Sequence, residues 1–132
     1  MDHLDFFNDV NAQKQIDSLA KKYKKKRIVI YGAGIYFQII MKNFNLSKLN
    51  IVGIADKKFE KNKMLNNMPY TALSPNELNE IDYDVILVAT YNHIEVKEFL
   101  KFELLINGKN HDKKIHPIIK PTFFYFLKTF FY

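Results

Sequence analysis

Short apolar runs alternate along the chain with longer stretches in which apolar residues recur every three or four positions. The runs at 27–31, 51–55 and 84–89 are almost continuously apolar. Runs of this kind are typical of strands that a parallel sheet buries on both faces. The alternation of such runs with helical spacing predicts an α/β fold.

Helical spacing is clearest in two stretches that flank the first apolar run. Each has apolar residues at i, i+3, i+4 and i+7, namely Ile16, Leu19, Ala20 and Tyr23 in the first and Phe37, Ile40, Met41 and Phe44 in the second. We expect a single amphipathic helix before the first strand and a second helix after it. A further helix is expected over residues 93–105.

The segments between these elements are assigned from turn and capping residues. Residues 57–68 are polar and are interpreted as a loop, followed by a short extended piece at 69–71. Ser74, Pro75 and Glu77 then predict a helix start, with Ser74 as N-cap, Pro75 at N1 and Glu77 completing a capping box. A last strand is expected at 115–119, confined to a sheet edge by its internal proline.

The chain has 132 residues, the size of one compact domain. We therefore predict a single domain over 1–132, built as a three-layer Rossmann-like sandwich with a mainly parallel sheet. Residues 1–25 form its N-terminal helical segment, 26–106 its strand-and-helix core, and 107–132 an edge strand with an aromatic tail.

Glycines at the first strand-to-helix turn indicate a nucleotide-type ligand. Gly32 and Gly34 fall where the backbone can approach a phosphate on a helix N-terminus, and Asp56 follows 24 residues after Gly32, near the spacing of a ribose-binding acid. Phe37 occupies the position of the third glycine in the dinucleotide-binding fingerprint. The helix must therefore sit farther from the sheet or rotate, and Phe37 is equally well explained as a core residue.

The candidate binding residues lie at the carboxyl ends of the predicted strands, where open α/β sheets bind ligands. They are Gly32, Ala33, Gly34, Ile35, Tyr36, Asp56, Lys57, Thr90 and Tyr91. Several have a second interpretation: Asp56 as a solvated turn, Tyr36 as an aromatic at the rim, and Thr90 and Tyr91 as ordinary turn residues. His93 is a lone histidine at a helix start, and no catalytic residue or metal site is identified.

Composition and charge restrict the classes of protein to which the chain could belong. The net charge is +6, but we assign the basic run at 21–27 to a solvated helix end rather than to nucleic-acid binding. The absence of cysteine excludes disulfides and thiolate metal sites. No signal peptide is recognised, and no segment reaches the ~18–20 apolar residues that span a bilayer, so we expect a cytoplasmic protein.

Four motifs carry a resemblance to a known family. They are the glycine turn at 31–34, the strand and acid at 52–58, the capped segment at 73–78 and the strand at 83–89. Together they resemble the small Rossmann-like domain of bacterial surface-polysaccharide and sugar-modifying proteins, over about residues 25–106. In the sugar methyltransferase version an Asn and a Glu follow the third strand, matched here by Asn92 and Glu95.

The resemblance implies a module that binds NAD(P) or a nucleotide-sugar in bacterial surface-glycan biosynthesis. The hexapeptide repeats of the acetyltransferase relatives and the zinc-binding cysteines of the methyltransferases are absent. Two alternatives therefore stand beside the binding module. One is a small enzyme subunit acting on a nucleotide-sugar, and the other is a degenerate interaction or oligomerisation domain that binds no ligand.

The C-terminal segment is the most aromatic part of the chain. Seven of the last ten residues, 123–132, are Phe or Tyr. A patch of this kind is rarely left in water. We expect the tail to pack on its own sheet, to bind a second copy or a partner enzyme, or to lie on a membrane surface, in that order of preference.

Overall fold

A computed structural model describes residues 3–63 and 69–121. Within these residues, five parallel strands form one sheet with the order β3-β2-β1-β4-β5. The strands are β1 (Ile28–Tyr31), β2 (Ile51–Ala55), β3 (Ala72–Leu73), β4 (Val85–Val88) and β5 (Lys114–Pro117). This arrangement confirms the predicted α/β class and the Rossmann-like sandwich.

Four α-helices and three shorter helical turns connect the strands within the described residues. The helices are α1 (His3–Asp9), α2 (Ala12–Lys22), α3 (Ile35–Asn43) and α4 (His93–Phe99). Two turns are 3₁₀-helical, Lys57–Glu60 and Pro75–Asn79, and a π-helical turn, Leu100–Leu104, continues α4. The third predicted helix therefore spans the expected residues, although its second half is π-helical rather than α-helical.

The core consists of two apolar layers, one on each face of the sheet. Alternate strand residues point to opposite faces, so Ile28 and Ile30 contact the layer of α1, α2 and α3. Val29 and Tyr31 contact the other layer, which includes Leu100 of the π-helical turn. Burial on both faces explains why the strands are continuously apolar in sequence.

The N-terminal segment is helical as predicted, but it forms two helices, α1 and α2, where one was expected. The helix is interrupted at Asn11, which separates α1 from α2. The φ angle of Asn11 is 54°, a left-handed conformation that asparagine tolerates better than most residues. The break lets α1 place Phe7, which is fully buried, beside α3. Helical periodicity in α2 alone could not reveal this turn.

Three other boundaries differ from the expectations. Residues 57–60 form a 3₁₀ turn rather than open loop, because the side chain of Asp56 caps it. The paired part of the third strand is Ala72–Leu73, just after the expected 69–71. The last strand is Lys114–Pro117 rather than 115–119; it lies at the sheet edge as predicted.

The predicted capping box is present. The backbone N–H and the hydroxyl of Ser74 both donate to the Glu77 carboxylate, at 3.1 and 3.0 Å. The turn that it starts is 3₁₀-helical rather than α-helical. Phe37 is fully buried in the layer that α3 forms with the sheet, which confirms its interpretation as a core residue.

Part of the predicted polar loop, 64–68, and the aromatic tail, 122–132, lie outside the described residues. The expectations about the tail therefore stay predictions. Within the described ranges, no helix combines the length and apolar character needed to cross a membrane.

Candidate functional site

The sheet order creates a crevice between β1 and β4. The chain runs from β1 outward to β2 and β3, then returns to the other side of β1 to form β4. The loops that follow β1 and β4 therefore diverge, and open α/β sheets bind ligands at such a switch point. A cavity of about 370 Å³ lies there; it is lined by Tyr31, Gly32, Asp56, Lys57, Thr90, Asn92, Glu95, Val96 and Phe99.

Gly32 is required by the fold itself. Its φ of 117° is a conformation that other residues rarely adopt. A Cβ added there would lie 2.7 Å from the carbonyl oxygen of Ala89 and 3.0 Å from Cγ2 of Thr90. Gly32 thus lets the turn after β1 pack directly against the end of β4.

Gly34 has a different environment. Its φ of −86° and ψ of −161° suit any residue, and a Cβ added there would meet no atom within 4 Å. Gly34 is the N-cap of α3 and has no side chain to bond the first-turn N–H groups. The backbone N–H groups in the first turn of α3 therefore have no capping side chain, and they lie beside two exposed residues, Gly34 and Ile35.

Asp56 organises the glycine turn from the end of β2. One carboxylate oxygen accepts the backbone N–H of Ala33 at 2.8 Å, and the other accepts that of Lys58 at 3.0 Å. The Lys58 ammonium in turn donates to the Ala33 carbonyl. Asp56 is therefore not a freely solvated turn residue: it fixes the glycine turn and also lines the cavity.

Tyr36 is more buried than a rim residue. It is 5% exposed, and its ring contacts Phe7 and Tyr91 edge-on, with centroids 4.9 and 4.6 Å apart. Burial, with a smaller contribution from Tyr91, raises the pKa of Tyr36 above its ordinary value of 10.0. Tyr91 is itself half exposed and also contacts Phe6. Both rings thus belong to an aromatic cluster beside the glycine turn.

The structure brings four of the nine candidate residues into the cavity wall: Gly32, Asp56, Lys57 and Thr90. The other five lie outside that wall: Ala33, Gly34, Ile35, Tyr36 and Tyr91. Asn92 and Glu95, the pair quoted for the methyltransferase resemblance, do line it.

Sequence reasoning missed Tyr31, Val96 and Phe99 in the cavity wall. Burial, followed by the carboxylates of Asp56 and Glu60, raises the pKa of Tyr31 to about 12. Its hydroxyl therefore remains protonated at neutral pH. Tyr31 ends an apolar strand, so its position as the last strand residue was the available signal.

Two polar features of the cavity suit an oxygen-rich ligand. The Oγ1 atom of Thr90 is buried and has no hydrogen-bond partner among the described residues. Such groups are rare in folded proteins and require an explanation, of which a missing ligand or water is one. The ammonium of Lys57 lies 5.0 Å from the centre of the Phe99 ring and adds positive charge at the cavity wall.

No reacting group is identified at this site. His93 lies outside the cavity wall, and burial lowers its pKa below the ordinary 6.5. In the described part of the chain, no three His, Asp or Glu side chains group as metal ligands would. The arrangement provides backbone donors, carboxylates, hydroxyls and an ammonium, all of which can bind the polar groups of a ligand.

Comparison with known proteins identifies one family. No curated protein and no solved structure matches the chain. The family described as C2185-like, N-terminal, matches residues 24–116, from just before β1 into β5. Since this stretch holds the whole sheet up to its last strand and more than half of the sequence, the chain belongs to the C2185-like, N-terminal family.

Proposed function

We propose that this chain is a binding module for a nucleotide-type ligand, either NAD(P) or a nucleotide-sugar, in cytoplasmic reactions of bacterial surface-glycan biosynthesis. The observation that carries the proposal is Gly34. Neither its backbone angles nor its surroundings require glycine. The space beside it is left open at a helix N-terminus, where a phosphate is favoured.

The phosphate is proposed to lie over residues 34–36, against the first-turn N–H groups of α3. Because Gly34 supplies no capping side chain, these donors have no competing side-chain acceptor. Lys57 and Lys58 begin the neighbouring turn, and Lys57 adds a charge that favours an anion.

The sugar or base is proposed to occupy the cavity between β1 and β4. Each carboxylate oxygen of Asp56 accepts one hydrogen bond from the backbone, whereas a carboxylate can accept about four in total. It retains capacity for a ribose hydroxyl. Thr90 lines the same cavity, and rotation of its side chain would present Oγ1, which has no partner among the described residues, as a second polar contact.

The degenerate interaction domain remains the alternative, and one observation favours it. The Asp56 carboxylate already holds the Ala33 N–H, so this part of the turn is satisfied without a ligand. The half-exposed Tyr91 and the exposed Ile35 beside the turn would then belong to a protein contact surface.

A single substitution separates binding from folding. In Gly34→Asp the new side chain caps α3, which is expected to stabilise the fold by about 0.3–1 kcal/mol. The same carboxylate repels a phosphate and competes for its donors, so affinity should fall at least about tenfold. The two effects have opposite signs, which loss of structure could not produce.

The measurement is a thermal-shift and calorimetric screen of NAD, NADP and UDP-, GDP- and CDP-sugars. A ligand at 100 times its Kd should add about 2.7 kcal/mol to the stability of the wild type. Gly34→Ala is the matched control that adds a methyl group without charge. If no ligand of the panel binds, or if Gly34→Asp binds as tightly as the wild type, the proposal is wrong.

A further inference from the structure

A second concave surface lies on the far side of α4 from the proposed nucleotide site. A cavity of about 590 Å³ is lined by residues of α4, of its π-helical extension and of the end of β5, and a neighbouring cavity of about 380 Å³ shares Lys97, Lys101 and His116 with it. We call the two together the edge groove. Residues 95, 96 and 99 of α4 line the nucleotide site, whereas residues 93, 94, 97 and 98 line the edge groove.

The edge groove is strongly cationic. Six lysines from α2, from α4 with its π-helical extension, and from β5 with its flanking residues line it: Lys22, Lys97, Lys101, Lys113, Lys114 and Lys120. Glu98 and Asp112 are the acidic residues of its described wall. None of the six lysines forms an ion pair within the described ranges. Unpaired positive charge on several elements facing one groove favours an anionic ligand.

Two polar side chains near the groove lack partners. His116 lines both cavities, and its Nε2 atom is buried without a hydrogen-bond partner among the described residues. The Tyr23 ring lies 5.9 Å from the His116 ring, and its hydroxyl is likewise buried and unpartnered there. The His116 ring therefore lies at the groove wall with an unsatisfied nitrogen, where the charge of an anion bound in the groove can act on it.

We propose that the edge groove binds a small soluble anion with two or three linked phosphate groups, such as a nucleoside di- or triphosphate. Lysine acts as a point-charge phosphate ligand, and the cavity volume is that of a small-molecule site. The exposed Phe102 ring lines the same cavity and offers a surface on which a base can stack. This inference does not depend on the nucleotide site.

Charge around His116 provides a second readout. Burial lowers its pKa below 6.5, and the ammonium groups of Lys22, Lys97, Lys120 and Lys114 lower it further. A bound phosphate reverses the sign of that local field. We therefore expect the pKa of His116 to rise on binding and the affinity to increase as the pH falls toward 6.

The test uses the full chain and inorganic tripolyphosphate as the probe, followed by calorimetry and by NMR of the His116 ring. We expect binding that weakens at least about tenfold in Lys97→Gln and in Lys120→Gln, since each removes one charge-assisted contact. Lys42→Gln and Lys48→Gln are matched controls, because these exposed lysines lie outside the groove and should leave the affinity unchanged. Melting temperatures check that every variant remains folded.

The Gly34→Asp variant separates this site from the nucleotide site, and it should bind tripolyphosphate at the edge groove as the wild type does. Equal weakening in the groove and control variants would mean diffuse charge attraction and would overturn the proposal. So would an unchanged His116 signal at saturation. Binding of phosphatidic acid vesicles or of an oligonucleotide without binding of tripolyphosphate would also overturn it, in favour of a macromolecular partner.

Discussion

At the scale of single residues, the two glycines of the same turn have separate reasons to be glycine. Gly32 has a left-handed φ and touches the end of β4, so the protein alone requires it. Gly34 has ordinary backbone angles and empty space beside it. The pattern Gly-x-Gly is identical in sequence whether a residue serves folding or binding, and only the local geometry separates the two roles.

The first prediction concerns this difference. Gly32→Ala should destabilise the fold by about 2–4 kcal/mol, because it combines backbone strain with overpacking against Ala89. Gly34→Ala should lower the free energy of unfolding by less than about 1 kcal/mol. The added methyl group enters open space, so the loss arises only because alanine is a poorer N-cap residue than glycine. Urea unfolding of both variants measures the difference. Similar losses at the two positions would contradict the assigned roles.

Asp84 and Arg27 form the most clearly defined ion pair of the described residues. Arg27 donates to Asp84 from its backbone N–H at 2.7 Å and from its guanidinium at 3.2 and 3.3 Å. These bonds lower the pKa of Asp84 from 3.8 to about 2. The pair joins the amino ends of β1 and β4, the two strands that flank the crevice at their other ends.

The second prediction is the pH dependence that this pair produces. A carboxylate with a lowered pKa in the folded state stabilises the protein fully above the unfolded value near 3.8 and loses that contribution as the pH falls through about 2. The stability difference between wild type and Asp84→Asn should therefore shrink between pH 4 and pH 2. Urea unfolding of both proteins at several pH values tests it. A difference that is constant down to pH 2 would show that the pair does not stabilise the fold.

At the scale of elements, the longer buried strands and the helices that follow β1 and β4 could be predicted, whereas the short strand β3 and the break between α1 and α2 could not. The run at 51–55 coincides with β2 because burial on both faces makes a parallel strand continuously apolar. β3 has only two paired residues, which is too short to produce a pattern. The break at Asn11 depends on one left-handed residue, and periodicity does not detect it.

The residues of the candidate site were likewise only partly predictable from the sequence. Strand ends predicted Gly32, Asp56 and Thr90 in the crevice, because the carboxyl ends of parallel strands meet at one sheet edge. Phe99 was missed because its inclusion depends on the rotation of α4. The bond from Ala33 to Asp56 could not be foreseen either, since it joins two turns whose approach only the folded chain defines.

The third prediction concerns Asn110, which secures the 3₁₀ turn after β3. It is 3% exposed, and its amide donates to the carbonyl of Leu78 at 2.8 Å and to that of Ile81 at 3.0 Å. Asn110→Ala should lower the free energy of unfolding by about 1–3 kcal/mol, because the Ile81 carbonyl loses this donor and the Leu78 carbonyl keeps only the bond from the Tyr83 hydroxyl. Asn107→Ala, at an exposed position in the same loop, should change it by less than about 0.5 kcal/mol. Equal values from chemical denaturation would rule out this role for Asn110.

At the scale of the whole molecule, α4 lies between two surfaces of different character. One face borders the crevice with Glu95, Val96 and Phe99, and the other borders the lysine-rich edge groove. Of the basic run at 21–27, only Lys22 lines this groove, and the other lysines of the groove come from α4, its π-helical extension and the region of β5. Lysines distant in sequence meet there, which is why the run alone did not predict the groove.

The glycine turn is proposed to bind a nucleotide-type ligand. The most direct test is amide NMR mapping of the full chain with the tightest ligand of the screened panel. We predict the largest shifts at residues 32–36 and 90–92, with loss of these shifts in Gly34→Asp. A panel without a ligand, or shifts that leave residues 32–36 unchanged, would contradict the account.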